Sequence, residues 1–370
     1  GGAKVFFDFA VALGKDKIVR QDQWGDPTRA YSFSRLISVT NPIEGDSPEL
    51  FARLYQSSGL KEARLLELVM FAPQWASHAE QALGLNGLEE AVWWIHAHTK
   101  KNDYWRNQDF REIWAAQINE RTELDSEDLE EGAVDVRWFT RVINLIGDDG
   151  WAKLQKPAKY ASNSGGHKRA QLFADAMLNR LDGDEILSRI TDKRHQDAVR
   201  ALGLIPLSKK NSVAKKEMLD RYKQIQEFKR ESRKFGSQRQ ASEGKSVAIA
   251  MQNLARTAGF RDPRRLQWAM ESQAVTDLAK GPVVITVEET SVSLSITEAG
   301  EPELAVMKNG KKLKNVPAKL RKNDEIAPLR SRVTELRRQR SRMRVSLEES
   351  MCRGDEFSRS ELKEFRFSSR

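Results

Sequence analysis

The period of the apolar residues constrains this chain most. Before Gly281-Pro282 they recur at spacings of three and four, and after that pair the pattern changes to an alternation of two. The first spacing lays apolar side chains along one stripe of a helix; the second lays them on one face of a strand. The chain therefore reads as mainly α, with one short β region towards its C-terminal end.

Residues 1–207 read as an irregular, solenoid-like helical array rich in tryptophan. Gly25-Asp26-Pro27 and Asn41-Pro42 are breakers. Ser47 precedes Pro48 as a cap for a helix running towards Tyr55. Leu65, Leu66, Leu68 and Val69 form a stripe that Pro73 interrupts. Leu88, Ala91, Val92, Trp93, Trp94 and Ile95 form the next. Further helices are expected over 134–145, closed by Gly147, over 170–181, closed near Gly183, and over 184–190 and 195–202. Helix pairs with short connections and no fixed repeat suggest the array. Eight of the nine tryptophans precede Gly165, and Trp93, Trp94, Trp105, Trp114, Trp138 and Trp151 recur through successive helices. They read as core between stacked helices rather than as a ligand cage.

Three further regions follow. Residues 208–280 read as a three-helix unit. Its first helix carries Met218, Tyr222, Ile225 and Phe228 on one face and is broken by Gly236. The second spans 238–258, with Val247, Ile249, Met251 and Leu254 inside, and Asp262-Pro263 opens the third. Residues 281–317 read as a small antiparallel meander, from two β-branched alternating runs, a third run over 303–307 and the hairpin signal Asn309-Gly310. Residues 318–370 read as a long basic helix followed by a truncated C-terminal segment.

The net charge is +9, with the excess of Lys and Arg after Lys209 and again over 308–344. Such a half suits a polyanion, nucleic acid or an acidic protein, although solvated helix faces give the same composition. No apolar run reaches the roughly 20 residues of a membrane helix, and no signal peptide is visible. Cys352 is the single cysteine. It excludes an internal disulfide and a Cys-rich zinc site, and it fits a reducing, cytoplasmic setting. The chain has no initiator Met and stops at Phe367-Ser-Ser-Arg370. Both ends are expected to be cut from a longer protein, whose other domains would be partners.

No cofactor or metal motif stands out. Gly244-Lys245-Ser246 would end a phosphate-binding loop, but position 239 is Arg239 rather than glycine, and the triplet falls inside a helical run. His96 and His98 are alternate residues, so on a helix their rings diverge by about 200° and do not share a metal. The one constellation with candidate chemistry is Arg233, Gln238, Arg239 and Glu243, with Ser242 beside it. Gly236 could turn Arg233 and Arg239 towards one place, and Glu243 lies one helical turn after Arg239. The expectation is a mostly buried Arg239–Glu243 pair. It forms either a structural network or an arginine cluster that grips a carboxylate or phosphate. A second dense set surrounds Arg342 and Arg353.

Several motifs give a resemblance. Phe235-Gly236-Ser237-Gln238-Arg239, Asn253-Leu-Ala-Arg256, Asp262-Pro263, Trp268-Ala-Met270 and Ser341-Arg-Met343, with Trp93-Trp-Ile-His-Ala-His98 upstream, resemble the bacterial MolR-type family. That resemblance implies large multidomain proteins, some with WGR domains, a regulatory link to molybdate metabolism by name, and no assigned chemistry. The first functional reading is a helical scaffold or regulatory protein. The alternative is a nucleic-acid-binding module in the basic C-terminal half, and the third is an enzyme using the Arg/Gln/Glu cluster on an anionic substrate.

Overall fold

The computed structural model describes residues 1–21, 25–100, 108–162 and 164–357, with backbone alone at 108–111. Trp105 and the expected C-terminal segment over 358–370 lie outside the described residues. The chain is mainly α, with sixteen helices and one four-stranded antiparallel sheet among the described residues. It divides into two compact units, Gly1–Leu207 with Ile225–Thr257, and Ser208–Gln224 with Ala258–Arg370. The three helices expected to form one unit over 208–280 are therefore divided between two.

The first unit begins with α1 (Ala3–Leu13), α2 (Arg29–Ser38), α3 (Pro48–Ser58), α4 (Glu62–Phe71), α5 (Ala76–Leu83) and α6 (Leu88–His98). It continues through α7 (Gln108–Asn119), α8 (Ser126–Glu131), α9 (Val136–Leu154), α10 (His167–Met177), α11 (Gly183–Thr191) and α12 (Gln196–Leu202). Two later helices, α13 (Asn211–Ser232) and α14 (Ser237–Thr257), complete the α-helices that enter it; α13 crosses from the second unit into the first after Gln224. The start signals act locally. Ser47 accepts a hydrogen bond from the Leu50 amide with Pro48 at the first turn, and Asp182 caps α11 through the Glu185 amide. Gly183 thus opens α11 instead of closing α10, which already ends at Met177. Gly147 takes φ 69° and kinks α9, which resumes to Leu154.

Helix α6 is the hub of this unit. Every residue in it except Glu89 and Glu90 is buried, and it packs on α5, α9 and α10. Trp94 and Trp151 meet edge to face at 5.7 Å, with Phe139 against both. Trp75, Trp94, Trp138 and Trp151 are among the largest fully buried side chains, so these rings are core. Contacts such as α6 with α9 and α4 with the 3-10 turn Pro157–Ala161 join elements distant in sequence, so the array is irregular. His96 Nε2 lies 2.9 Å from the Met70 carbonyl, and His98 Nδ1 lies 2.8 Å from that of Trp94. The two rings serve different backbone groups.

Helices α12 and α14 pack against each other at close range. A Cβ at Gly203 would stand 2.5 Å from the Ala250 carbonyl oxygen and 2.8 Å from the Leu254 nitrogen. Only a glycine lets the two backbones approach this far. Fully buried Asn253 ties the region together. It accepts from the Val134 amide and donates to the Gly132 and Arg200 carbonyls.

The second unit holds α15 (Pro263–Ala274), β1 (Val283–Val287), β2 (Thr290–Ile296), β3 (Pro302–Lys308), β4 (Lys311–Leu313) and α16 (Ile326–Arg353). Asp262 caps α15 through the amides of Arg264 and Arg265. The sheet order is β1-β2-β3-β4, with Val292 opposite Ile285 and Val306. Alternate residues of β2, Thr290, Val292 and Leu294, face the core. There Val292 and Leu294 meet Ile326, Leu329, Val333 and Leu336 of α16. That helix begins at Ile326; Leu320, expected within it, belongs to a preceding 3-10 turn.

Candidate functional site

The carboxylate of Glu243 organises the polar side of α14. Its side chain is 1% exposed. Arg239, one turn earlier, donates Nε to Oε1 at 3.0 Å. The dominant partner comes from elsewhere. Arg194, in the turn between α11 and α12, donates Nε to Oε1 at 3.0 Å and Nη2 to Oε2 at 2.5 Å. Its Nη1 reaches Glu231 at 3.1 Å, and Nη2 also donates to the Phe228 carbonyl. The guanidinium lies 4.0 Å from the Phe228 ring centroid. Arg239 stacks at 3.8 Å over Phe235.

Burial alone would raise the Glu243 pKa; the hydrogen bonds from Arg194 and Arg239 outweigh it and hold the group below the ordinary carboxylate value. Both oxygens are engaged by cations. Such a carboxylate anchors helices and is poorly suited to accept a proton from a substrate.

The residues expected to join this cluster divide. Arg239 is 48% exposed, so the pair is only half as expected: its acid is buried and that base is not. Arg233 and Gln238 are exposed, and neither joins the carboxylate that Arg194 and Arg239 hold. Ser242 instead exchanges hydrogen bonds with Gln196. Arg342 and Arg353 belong to the second unit. Arg353 pairs with Asp355 at 2.7 Å. Arg194 had no local signal in the sequence, since its partner is far along the chain and its own backbone is left-handed at φ 49°.

Arg342 serves a second node. Glu271 Oε1 accepts from Tyr222 Oη at 3.0 Å, Gln267 Nε2 at 3.1 Å and Arg342 Nη2 at 2.9 Å. Its Oε2 is buried with no hydrogen-bond partner among the described residues. Burial raises the Glu271 pKa against the pull of Arg342. Burial also raises that of Tyr222.

Most other cations on α16 are likewise engaged. Arg332 pairs with Asp277, Arg340 with Glu301 and Arg344 with Glu348. A different set lines a groove of about 600 Å³ between β3 and α16: Lys314, Arg321, Arg330 and Arg337, with Glu303. Arg330 and Arg337 lie two turns apart on one helix face, with Val333 and Thr334 between them. Arg321 is oriented by its Nε bond to the Val316 carbonyl, and Arg330 donates to the Arg321 carbonyl.

A family of unknown function (DUF5724) matches residues 1–270. The chain belongs to the DUF5724 family. A domain of unknown function (DUF4132) matches residues 310–368, which include α16 and the Lys314–Arg337 side of the groove. These matches overturn the resemblance to the MolR-type family: nothing among them is MolR-type or carries a WGR domain. Several of the residues that carried the resemblance have local structural roles: Trp94, Asn253 and Trp268 are buried and Asp262 caps α15. No curated protein and no solved structure matches the chain. Among the described residues no helix is long and apolar enough to cross a membrane.

Proposed function

We propose that this DUF5724 protein is a helical scaffold whose second unit engages nucleic acid through the phosphate backbone. The groove between β3 and α16 carries this reading. Four cations line it against one carboxylate, Glu303, and Glu303 is only 4.0 Å from Lys312 at its nearest. Cations already paired to carboxylates, such as Arg332 and Arg342, add little to an external field, whereas Lys314, Arg321, Arg330 and Arg337 have no carboxylate partner among the described residues. No aromatic side chain lines the groove, so it supports backbone contacts rather than base stacking.

The test is a titration of the intact chain with duplex and single-stranded oligonucleotides of mixed sequence. Binding should appear at low salt, show little sequence preference, and weaken linearly on logarithmic axes as salt rises. Every phosphate that the protein neutralises contributes roughly 0.7–0.9 to that slope, so Arg330→Glu with Arg337→Glu should flatten it. Absence of binding at low salt, or an unchanged slope in the double variant, removes this reading.

A further inference from the structure

We infer that the first unit carries a separate binding site for a small anion, a phosphate or carboxylate of metabolite size, in the depression between α8, α10 and the turn leading into α12. Its volume is about 650 Å³, within the roughly 300–1,000 Å³ that small-molecule sites occupy. All its lining residues belong to the first unit, so it is independent of the groove beside α16.

Two buried guanidiniums form its wall. Arg169 is 5% exposed and Arg200 8%. Arg169 donates to three backbone carbonyls, those of His98, Leu129 and Glu130. Its charge is thus held by neutral acceptors. Burial, aided by the repulsion of Arg200, pulls the Arg169 pKa down to about 10, with Asp197 and the two glutamates opposing. Arg200 gives Nη1 to Asp197 at 2.9 Å and approaches Glu131 at 3.7 Å, while its Nε is buried with no hydrogen-bond partner among the described residues.

The acids lining the depression are largely committed. Asp197 serves Arg200, and Glu131 serves both Arg200 and Lys245. Glu130 also lines the space. At the rim, Lys193 is exposed; it feels the charge of neighbouring Asp192 but forms no salt bridge with a carboxylate among the described residues. His195 caps α12 by accepting the Ala198 amide at Nδ1. In the neutral ring the proton then sits on Nε2, which makes that nitrogen a donor.

The backbone around the depression is tightly built. A Cβ at Gly132 would stand 2.8 Å from Arg200 Cδ, and one at Gly166 would stand 2.0 Å from the Lys100 carbonyl oxygen. Gly132 also requires φ 99°. These glycines allow the two chain segments to close on Arg200 and Lys100. An anion entering here meets the guanidinium charges of Arg169 and Arg200, already withdrawn from water, and the Lys193 ammonium at the rim, and charges act most strongly where water is excluded.

The test is calorimetric titration of the intact chain with inorganic phosphate and, separately, with malonate. At least one probe should bind saturably, and the stronger one assigns the class. Lys193→Glu, at an exposed position that leaves the fold alone, should weaken binding at least about tenfold. Arg337→Glu, in the other unit, should leave it unchanged. The site is overturned if neither probe binds, if Lys193→Glu binds as the parent does, or if Arg337→Glu loses as much as Lys193→Glu.

Discussion

Arg194 and Glu243, 49 positions apart, join in two parallel side-chain hydrogen bonds, Nε to Oε1 and Nη2 to Oε2. The bond fastens the α11–α12 turn to α14, and both side chains are almost wholly withdrawn from water, at 9% and 1% exposure.

That geometry ranks the substitutions around Glu243. Arg194→Ala strands a buried carboxylate and should cost about 3–5 kcal/mol, as breaking a buried pair does. Arg239 is half exposed, so Arg239→Ala should cost no more than about 1 kcal/mol. Denaturant unfolding of both variants checks the order. Equal losses would mean that Arg239 carries as much of the anchor as Arg194 and would overturn this ranking.

His98 sets an acid limit on stability. It is fully buried, and burial lowers its pKa from 6.5 to about 3. Below 6.5 the unfolded chain takes up a proton there that the folded chain refuses. Stability contributed by the neutral ring is therefore complete above that value and declines as pH falls towards about 3. The ring resonances of His98 should stay fixed between about pH 5 and 8, a range in which ordinary histidines titrate. Movement of those resonances in that range would refute the buried, neutral assignment.

What was legible in the sequence follows from the range of the forces involved. Caps such as Ser47 and Asp262 act within three residues, so their helices announce themselves. The alternating run of β2 reflects one buried face, so the meander is visible too. Arg239 and Glu243 share a helix face, and their pairing follows from spacing alone. Arg194 and Asn253 act across the fold, on partners up to 121 positions away. No local period encodes such contacts. The alternation of charge along α16 also hides which arginines are consumed, because Asp277, Glu271 and Glu301 reach it from other elements.

Two glycines should respond in opposite directions. Gly203→Ala forces a Cβ against the Ala250 carbonyl at 2.5 Å and should destabilise by about 1–3 kcal/mol, as overpacking does. Gly244 lies within α14 with nothing near its missing Cβ. Gly244→Ala should stabilise by about 0.5–1 kcal/mol, because alanine gives up less conformational freedom in a helix. Melting temperatures of the two variants, measured side by side, decide it. A gain from Gly203→Ala would contradict the close α12–α14 approach.

Glu271 should titrate with the opposite sign to Glu243. Burial raises its folded pKa above the ordinary 4.5, so the folded chain holds a proton that the unfolded chain has released. The folded state then binds more protons, and its stability falls as pH rises through that window. Once ionised, the carboxylate has Oε2 buried without a donor, which is costly. Glu271→Gln keeps an acceptor for Tyr222, Gln267 and Arg342 and removes the titration. The stability of the Gln variant minus that of the parent should therefore be level below pH 4.5 and rise above it. Urea unfolding at a series of pH values gives this difference directly. A difference that falls as pH rises would show that attraction to Arg342 outweighs burial and would reverse the assignment. Glu271→Leu should be destabilising throughout, because it leaves the Tyr222 hydroxyl and the Arg342 guanidinium without the oxygen they share.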